Sequence, residues 1–286
     1  MQVVDTSTRV AFLGPQGTFS HSAVLRQFPA EVSLKDFVTI DEVFTAVENG
    51  EADFGVVPVE NSTEGAVNNT QDCLVDTSLK IVGEVIVPIE HHFLFKRGTD
   101  ITRINKVVSH KQSLAQCRKW LVAQWPNLAQ EEVASNAEAA RRATVEDNVA
   151  AIAGEMAATI YGLEIAVSRI QDQRNNSTRF LVLSKSPAPP VGKDKTSILV
   201  YTENRPGALF RILEPFERNK VSLTKIETRP SKKEVWDYVF FIDFEGHVDD
   251  EPIKALFEKL KDCTAEVKVL GSYPMASPAS VSGESR

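Results

Sequence analysis

The segment Ser184-Lys-Ser-Pro-Ala-Pro-Pro-Val-Gly-Lys-Asp-Lys195 constrains this chain most, because no regular element can run through it. It holds three prolines and a glycine among polar residues. Proline has no backbone N–H to give to a helix interior or a central strand. The segment therefore reads as a linker over 185–195, with separate folding units before and after it. The chain has 286 residues, 42% of them hydrophobic, which suits about two domains and a buried core in each. Its end, from Gly271 in the broadest reading and 274–286 in the narrowest, is rich in Ser, Ala and Pro and is expected to be disordered.

Before the linker, strand and helix signals alternate. Val10–Leu13, Phe54–Val59, Lys106–Ser109, Ala150–Ala153 and Phe180–Leu183 read as short buried strands. Phe19 to Phe28 has helical spacing, and Asp41 is placed to cap a second helix that stops at Asn49-Gly50. A third helix carries Leu114, Cys117, Leu121 and Trp125 on one face. Such alternation predicts α/β architecture with largely parallel sheets. After the linker the order becomes βαββαβ, that of a ferredoxin-like fold: strands at Ser197–Tyr201, Leu223–Thr228, Val235–Phe244 and Glu266–Leu270, helices at Gly207–Asn219 and Pro252–Lys261. Pro215 should kink or end the first of those helices.

Charge and cysteine usage remove several function classes. A net charge of −7 and a pI near 5.4 disfavour a nucleic-acid partner. The densest basic cluster, Lys232-Lys233 beside Arg229, reads as a solvated face. No secretory signal is visible at Met1, and no stretch approaches the roughly 18–20 apolar residues of a membrane span. Three cysteines far apart argue against a disulfide framework and for a reduced, cytoplasmic compartment. No metal pair, nucleophile elbow or dinucleotide fingerprint occurs, so no metal or cofactor is expected. His91-His92, adjacent in a strand, should face opposite sides, one packed and one exposed.

Polar clusters sit where strands end, the place where open α/β sheets bind ligands. Gly14-Pro-Gln-Gly-Thr-Phe-Ser-His21 lets backbone approach a ligand, with Thr18 or Ser20 capping the next helix. Pro58-Val-Glu-Asn-Ser-Thr-Glu-Gly65 puts Glu60 and Asn61 at a strand exit, although Ser62 or Thr63 would equally start a helix. Ser109 and Gln116 flank the third helix start. His110 between them is a candidate base but more often structural. Asn175-Asn-Ser-Thr-Arg-Phe180 packs donors, a cation and an aromatic before a strand. Beyond the linker, Asn204-Arg-Pro-Gly-Ala-Leu-Phe210 and Ile226-Glu-Thr-Arg-Pro230 offer no nucleophile–base pair and point to ligand binding.

Taken together, and in this order, these motifs resemble the prephenate dehydratase family from Arg9 to about Tyr273, with a C-terminal ACT domain. The resemblance implies two α/β lobes over 9–184 like those of type II periplasmic binding proteins, the chain crossing near 84 and 168. It implies an ACT regulatory domain over 196–273. It implies conversion of prephenate to phenylpyruvate with loss of water and CO₂, in the form without a chorismate mutase domain. By motif position, Thr178 is the donor to the leaving hydroxyl, with Glu60 as the rival proton source. Asn61, Ser109 and Gln116 orient the ring, and Arg179 holds the pyruvyl carboxylate. Thr18, Ser62 and Phe180 complete the substrate site. Phenylalanine is expected at Gly207, Ala208, Leu209, Glu227, Thr228, Arg229 and Pro230, between ACT domains of a homodimer or homotetramer. Phe210 and Thr228 stand where valine and serine are common. Arogenate dehydration and non-catalytic amino-acid sensing are the rival readings.

Overall fold

The computed structural model describes residues 4–202, 205–230 and 238–276. Asn204, Lys232-Lys233, the start of the strand expected at Val235 and most of the expected tail lie outside them. The first lobe is built from β1 (Arg9–Leu13), α1 (Phe19–Gln27), β2 (Ser33–Phe37), α2 (Ile40–Glu48), β3 (Phe54–Asn61), β4 (Gly65–Ala66), α3 (Asn68–Asp76) and β5 (Lys80–Pro88). The second comprises β6 (His92–Lys96), β7 (Lys106–His110), α4 (Lys111–Gln116), α5 (Arg118–Gln124), β8 (Ala129–Val133), α6 (Asn136–Val145), β9 (Val149–Ala153), α7 (Glu155–Tyr161) and β10 (Leu163–Val167). The chain then returns to the first lobe as β11 (Ser177–Ser184).

Both sheets are mixed, not largely parallel. The first has the order β2-β1-β3-β11-β5, and β11 runs antiparallel to both its neighbours. The second has the order β10-β6-β9-β7-β8, with β6 antiparallel to β9 and β10. The returning strand is inserted between β3 and β5, so the two crossings lie side by side. The first crossing follows Pro88, later than position 84, because β5 extends past Glu84. Strand β5, nine residues long, shows no continuous apolar run in the sequence because Gly83 and Glu84 interrupt it.

The third unit is β12 (Asp194–Tyr201), α8 (Ala208–Arg218), β13 (Leu223–Pro230), β14 (Tyr238–Glu245), α9 (Glu251–Cys263) and β15 (Glu266–Pro274), ordered β13-β14-β12-β15. That is the ferredoxin-like arrangement. Helix α8 runs through Pro215 without ending there. The Arg211 carbonyl that Pro215 cannot serve accepts the Cys263 thiol instead, at 3.3 Å. Other local expectations shift by a few residues. Thr39, with Glu42, forms the capping box of α2, and Asp41 lies in its first turn. The third helix is broken at Cys117 into α4 and α5.

The linker connects the units without separating them. Asp194 and Lys195 already belong to β12. Leu79, Ile81 and Leu183 of the first lobe share one buried cluster with Leu199, Phe241, Leu270 and Tyr273. One face of the third sheet therefore packs on the first lobe, while α8 and α9 cover the other. Each such large apolar side chain contributes about 1.5–3 kcal/mol by leaving water. The close approach depends on Gly271, where an added Cβ would stand 2.1 Å from the Ile81 carbonyl oxygen. Residues 271–273 are thus ordered, contrary to the broad reading of the tail, and Tyr273 is fully buried. Gly271→Ala must push β15 off β5. Thermal unfolding should show a loss of roughly 1–3 kcal/mol or more, whereas Gly83→Ala on β5, whose added Cβ would meet Val182 at an ordinary 3.5 Å, should lose less than half of that.

Candidate active site

A cleft of about 1250 Å³ opens between the two lobes. Loop Gly14–Gly17 forms part of its rim. Gly17 has φ +89°, and its N–H donates to Nδ1 of the buried His21 at 3.2 Å. Burial holds the His21 imidazole below its usual pKa and thus neutral, as an acceptor requires. Thr18 caps α1 by accepting the N–H of His21, and it lines the cleft.

The floor is made where β3 and β11 lie side by side, with Thr178 opposite Asn61. Asn61 Oδ1 accepts the backbone N–H groups of Thr63 and Glu64 at 2.9 and 3.0 Å. A backbone N–H is an unambiguous donor, so the side-chain amide has one orientation. Its NH₂ then donates to Thr178 Oγ1 at 2.9 Å and to Asn176 Oδ1 at 2.8 Å. The Thr178 oxygen is consequently engaged as an acceptor, and its own proton is left to point into the cleft.

From this pair a chain of neutral groups crosses to the second lobe. Asn176 donates to Gln116 Oε1 at 3.2 Å, and His91 Nε2 meets the same oxygen at 2.9 Å. Gln116 Nε2 donates to Glu64 Oε1 at 2.9 Å, while Gln112, one turn earlier on α4, donates to Glu64 Oε2 at 2.5 Å. Glu64 thereby ties the β3–β4 turn to the opposite lobe. Ser62 and Thr63 lie in that turn and do not start a helix. Ser62 Oγ accepts the Ser177 N–H at 3.0 Å and braces the floor.

Four expected site residues stand elsewhere. Glu60 and Arg179 are register partners, one residue along from Asn61 and Thr178. Side chains alternate along a strand, so both turn away from the cleft toward the third sheet. Arg179 donates to Glu84 at 2.7 Å, Asp243 at 2.6 Å and the Tyr273 hydroxyl at 2.8 Å. Burial opposes its charge, but Tyr273, Asp243 and Glu84 outweigh it and raise its pKa. Glu60 pairs with Lys225 at 3.2 Å. Neither residue is placed to hold a substrate carboxylate or supply its proton. Phe180 is 2% exposed and packs in the core with Val10, Phe12 and Val24. Ser109 is fully buried, its single hydroxyl proton going to the Ile152 carbonyl at 2.6 Å, with Asn136 Oδ1 also near at 3.1 Å.

Several cleft residues went unread. Asn136 Oδ1 also accepts the His110 N–H at 3.3 Å and the Ser113 hydroxyl at 2.9 Å, so its NH₂ is turned to the cleft it lines. Glu64 and the Gln112–Gln116 spacing stood in the quoted motifs, but only the folded lobes bring them together. His91 and His92 are both buried, because His91 precedes β6 and crosses beneath the cleft where it meets Phe19 edge-on. In the third unit, Glu227 bonds Gln71 at 2.6 Å and Arg229 bonds Asp72 at 2.6 Å as well as Asn68. Those two side chains are spent on the first lobe. Thr228 and Pro230 face outward, and Gly207 caps α8 at φ +77° with Ala208 and Leu209 behind it.

The prephenate dehydratase profile matches residues 10–188, and the ACT domain profile matches residues 196–262. The chain belongs to the prephenate dehydratase family. The family's reaction, a decarboxylating dehydration of prephenate to phenylpyruvate in phenylalanine biosynthesis, is accordingly this chain's activity. A bifunctional chorismate mutase/prephenate dehydratase of Stutzerimonas stutzeri is 53% identical over 268 residues, covering 94% of this chain and 73% of that protein. The prephenate dehydratase of Arthrobacter aurescens, solved in complex with L-Phe, superposes with a TM-score of 0.85 at 32% identity, covering 93% of this chain and 90% of that one. GqqA, described as a novel type of quorum quenching acylase, also superposes at 0.85, with 29% identity over 95% of this chain and 99% of that one. Since one backbone carries differently described activities, residue roles must come from the site.

Burial lowers the His91 pKa to about 4, with His92 adding repulsion and the Gln116 bond opposing. The unfolded chain therefore takes up a proton near pH 6.5 that the folded chain refuses until about pH 4. Stability from this group is full above pH 6.5 and is lost as pH falls toward 4. Its size is on the order of 3 kcal/mol. His91→Gln should flatten the acid limb of the stability–pH curve by that order, as urea unfolding between pH 4 and 7.5 would show. Two other buried imidazoles, His21 and His92, shift the same way and keep the limb from vanishing.

Proposed function

We propose that the Thr178 hydroxyl donates to the departing C4 hydroxyl of prephenate, and that this hydrogen bond carries the catalysis. What supports it is the orientation of Asn61. With that amide fixed by two backbone N–H groups, Thr178 accepts from Asn61 and must donate into the cleft. Two bonds break together: the C–O bond to the hydroxyl and the C–C bond to the ring carboxylate. The carboxylate's electron pair enters the ring, CO₂ leaves, and hydroxide is released to take a proton and become water. Aromatisation supplies the driving force, so the protein need only stabilise charge growing on the leaving oxygen. Removing one such donor costs roughly 10²–10³-fold in kcat.

The rest of the site fits a reaction in which a carboxylate loses its charge. A cation gripping the ring carboxylate would stabilise the ground state and slow the reaction. The groups linked to Thr178 through hydrogen bonds are the neutral amides of Asn61, Asn176 and Gln116. Arg174, in the returning segment that lines the cleft, replaces Arg179 as holder of the pyruvyl carboxylate. Thr178→Ala should lower phenylpyruvate formation at saturation by about 10²-fold or more with KM changed less than about threefold. Arg174→Ala should mainly raise KM. Equal losses of kcat in both would undo this division of roles. Arogenate carries an ammonium where prephenate has a ketone, and Glu64 is a carboxylate within the cleft, so arogenate belongs in the same assay.

For regulation, the reading is that phenylalanine binds the ACT unit and two chains pair through it in the cytoplasm. Strand β13 is an open sheet edge, and Phe210, Ile226, Leu209 and Tyr238 are exposed in the same unit, Phe210 by 68%. Among the described residues no helix is long and apolar enough to cross a membrane. Phe210→Asp should shift the chain toward monomer in sedimentation velocity and weaken inhibition by phenylalanine about tenfold. A wild-type chain that sediments as a monomer with and without phenylalanine would overturn the pairing.

A further inference from the structure

Arg179 joins the regulatory unit to the residue next to it in sequence. We propose that it is a positioning residue: the ACT sheet sets the placement of the Thr178 hydroxyl through Arg179, and phenylalanine acts on the reaction by that route. The proposal rests on the reading of Thr178 as the donor in the cleft.

Thr178 and Arg179 share one peptide unit, yet one side chain lies in the cleft and the other in the interface with the third sheet. The guanidinium is a rigid planar fork, so its three bonds fix it in direction as well as distance. One prong stays at home on Glu84 of β5. The other two belong to the ACT unit, on Asp243 of β14 and Tyr273 of β15. The anchors are themselves held. Lys195 of β12 donates to both Glu84 oxygens at 2.9 Å, and the Ser197 hydroxyl bonds Asp243 and Tyr273, each at 2.6 Å. The Arg179 side chain is 13% exposed and that of Glu84 2%. A displacement of the third sheet therefore cannot be taken up by water around the guanidinium. It must break a buried charged bond or move the strand.

The strand has a weak point at that place. The pairing of β11 with β3 shifts register between Arg179 and Phe180. Such irregularities interrupt the ladder and re-aim nearby side chains. The neighbouring strand repeats the design, for Glu60 takes Lys225 of β13 at 3.2 Å while Asn61 faces the cleft. Both members of the Asn61–Thr178 hydrogen bond thus have a chain neighbour gripped by the ACT unit. Strand β13, which carries Thr228 on its outer face, grips α3 on its inner face through Glu227 and Arg229. Lys268 of β15 caps the other end of α3 at the Val75 and Thr77 carbonyls, both 2.7 Å. That helix follows the Asn61 turn after the two residues of β4.

The test uses the full chain with Tyr273→Phe, Asp243→Asn and Arg179→Lys, following phenylpyruvate formation over a range of prephenate, with and without L-phenylalanine, beside thermal unfolding. Tyr273→Phe removes one oxygen and keeps the packing, so it carries the test if the charge variants fail to fold. The expected result is a kcat lowered about fivefold or more with KM within about twofold, and a phenylalanine concentration for half inhibition raised by a similar factor. Arg179→Lys keeps the charge, loses the fork and should resemble Asp243→Asn. Lowered unfolding temperatures with unchanged kcat and unchanged inhibition would make the network a structural clamp and overturn the proposal. A raised KM at constant kcat would return Arg179 to the substrate and overturn it as well. Thr178→Ala, run in parallel, separates the two readings: full activity there would remove the donor assignment whatever the interface variants do.

Discussion

A buried guanidinium needs every one of its partners, and Arg179 finds most of them in another folding unit. Moving a charge of this size out of water costs several kcal/mol, and only close, well-directed carboxylates and hydroxyls offset that. Glu84 alone would leave two prongs of the fork unmet. The ACT sheet supplies Asp243 and Tyr273, and it brings Lys195 to balance Glu84. This explains why the third unit docks face-on to the first lobe instead of swinging from its linker. It also explains the glycine at 271, because the anchors reach Arg179 only if β15 comes close to β5. Within that network the two cations, Arg179 and Lys195, balance the two anions, Glu84 and Asp243.

The opposite face of the same strands is built on a different principle. The cleft floor uses amides and hydroxyls whose orientation is settled, step by step, from backbone N–H groups. Asn61 is fixed by Thr63 and Glu64, Thr178 by Asn61, and Asn176 by Asn61 and Ser62. On the second lobe, the Ser113 hydroxyl and the His110 N–H do the same for Asn136. Neutral donors fixed in advance need no reorganisation while charge moves from a carboxylate to a leaving oxygen. The charged layer behind them can be strongly bonded because it does not touch the reacting atoms. Separating the two by a single pleat lets one strand pair serve catalysis and assembly.

Much of this was legible in the residues. Proline chemistry placed the boundary near 190, and periodicity found the strands that carry Asn61, Ser109 and Thr178, as well as the βαββαβ order beyond the linker. The polar clusters at the ends of those strands located the cleft. Legibility failed where two neighbouring residues part ways. Glu60-Asn61 and Thr178-Arg179 each read as one motif, yet the pleat sends one member to each side. Ser109 likewise reads as a ligand group, although its hydroxyl is consumed by the Ile152 carbonyl. His91 and Glu64 give no signal of their own, since their surroundings come from elements far away in the chain.

The sequence by itself determined the elements, their order and the polar residues available at strand ends, because propensity, capping and alternation act over a few residues. Only the tertiary structure decided which side of each strand faces the substrate, which amide is oriented by which backbone group, and that β11 returns between β3 and β5. Those outcomes depend on contacts between residues more than 100 positions apart, such as Asn61 with Thr178. They are set by the requirement that every buried charge and hydrogen-bonding group find a partner, a condition that no local stretch of chain can satisfy alone.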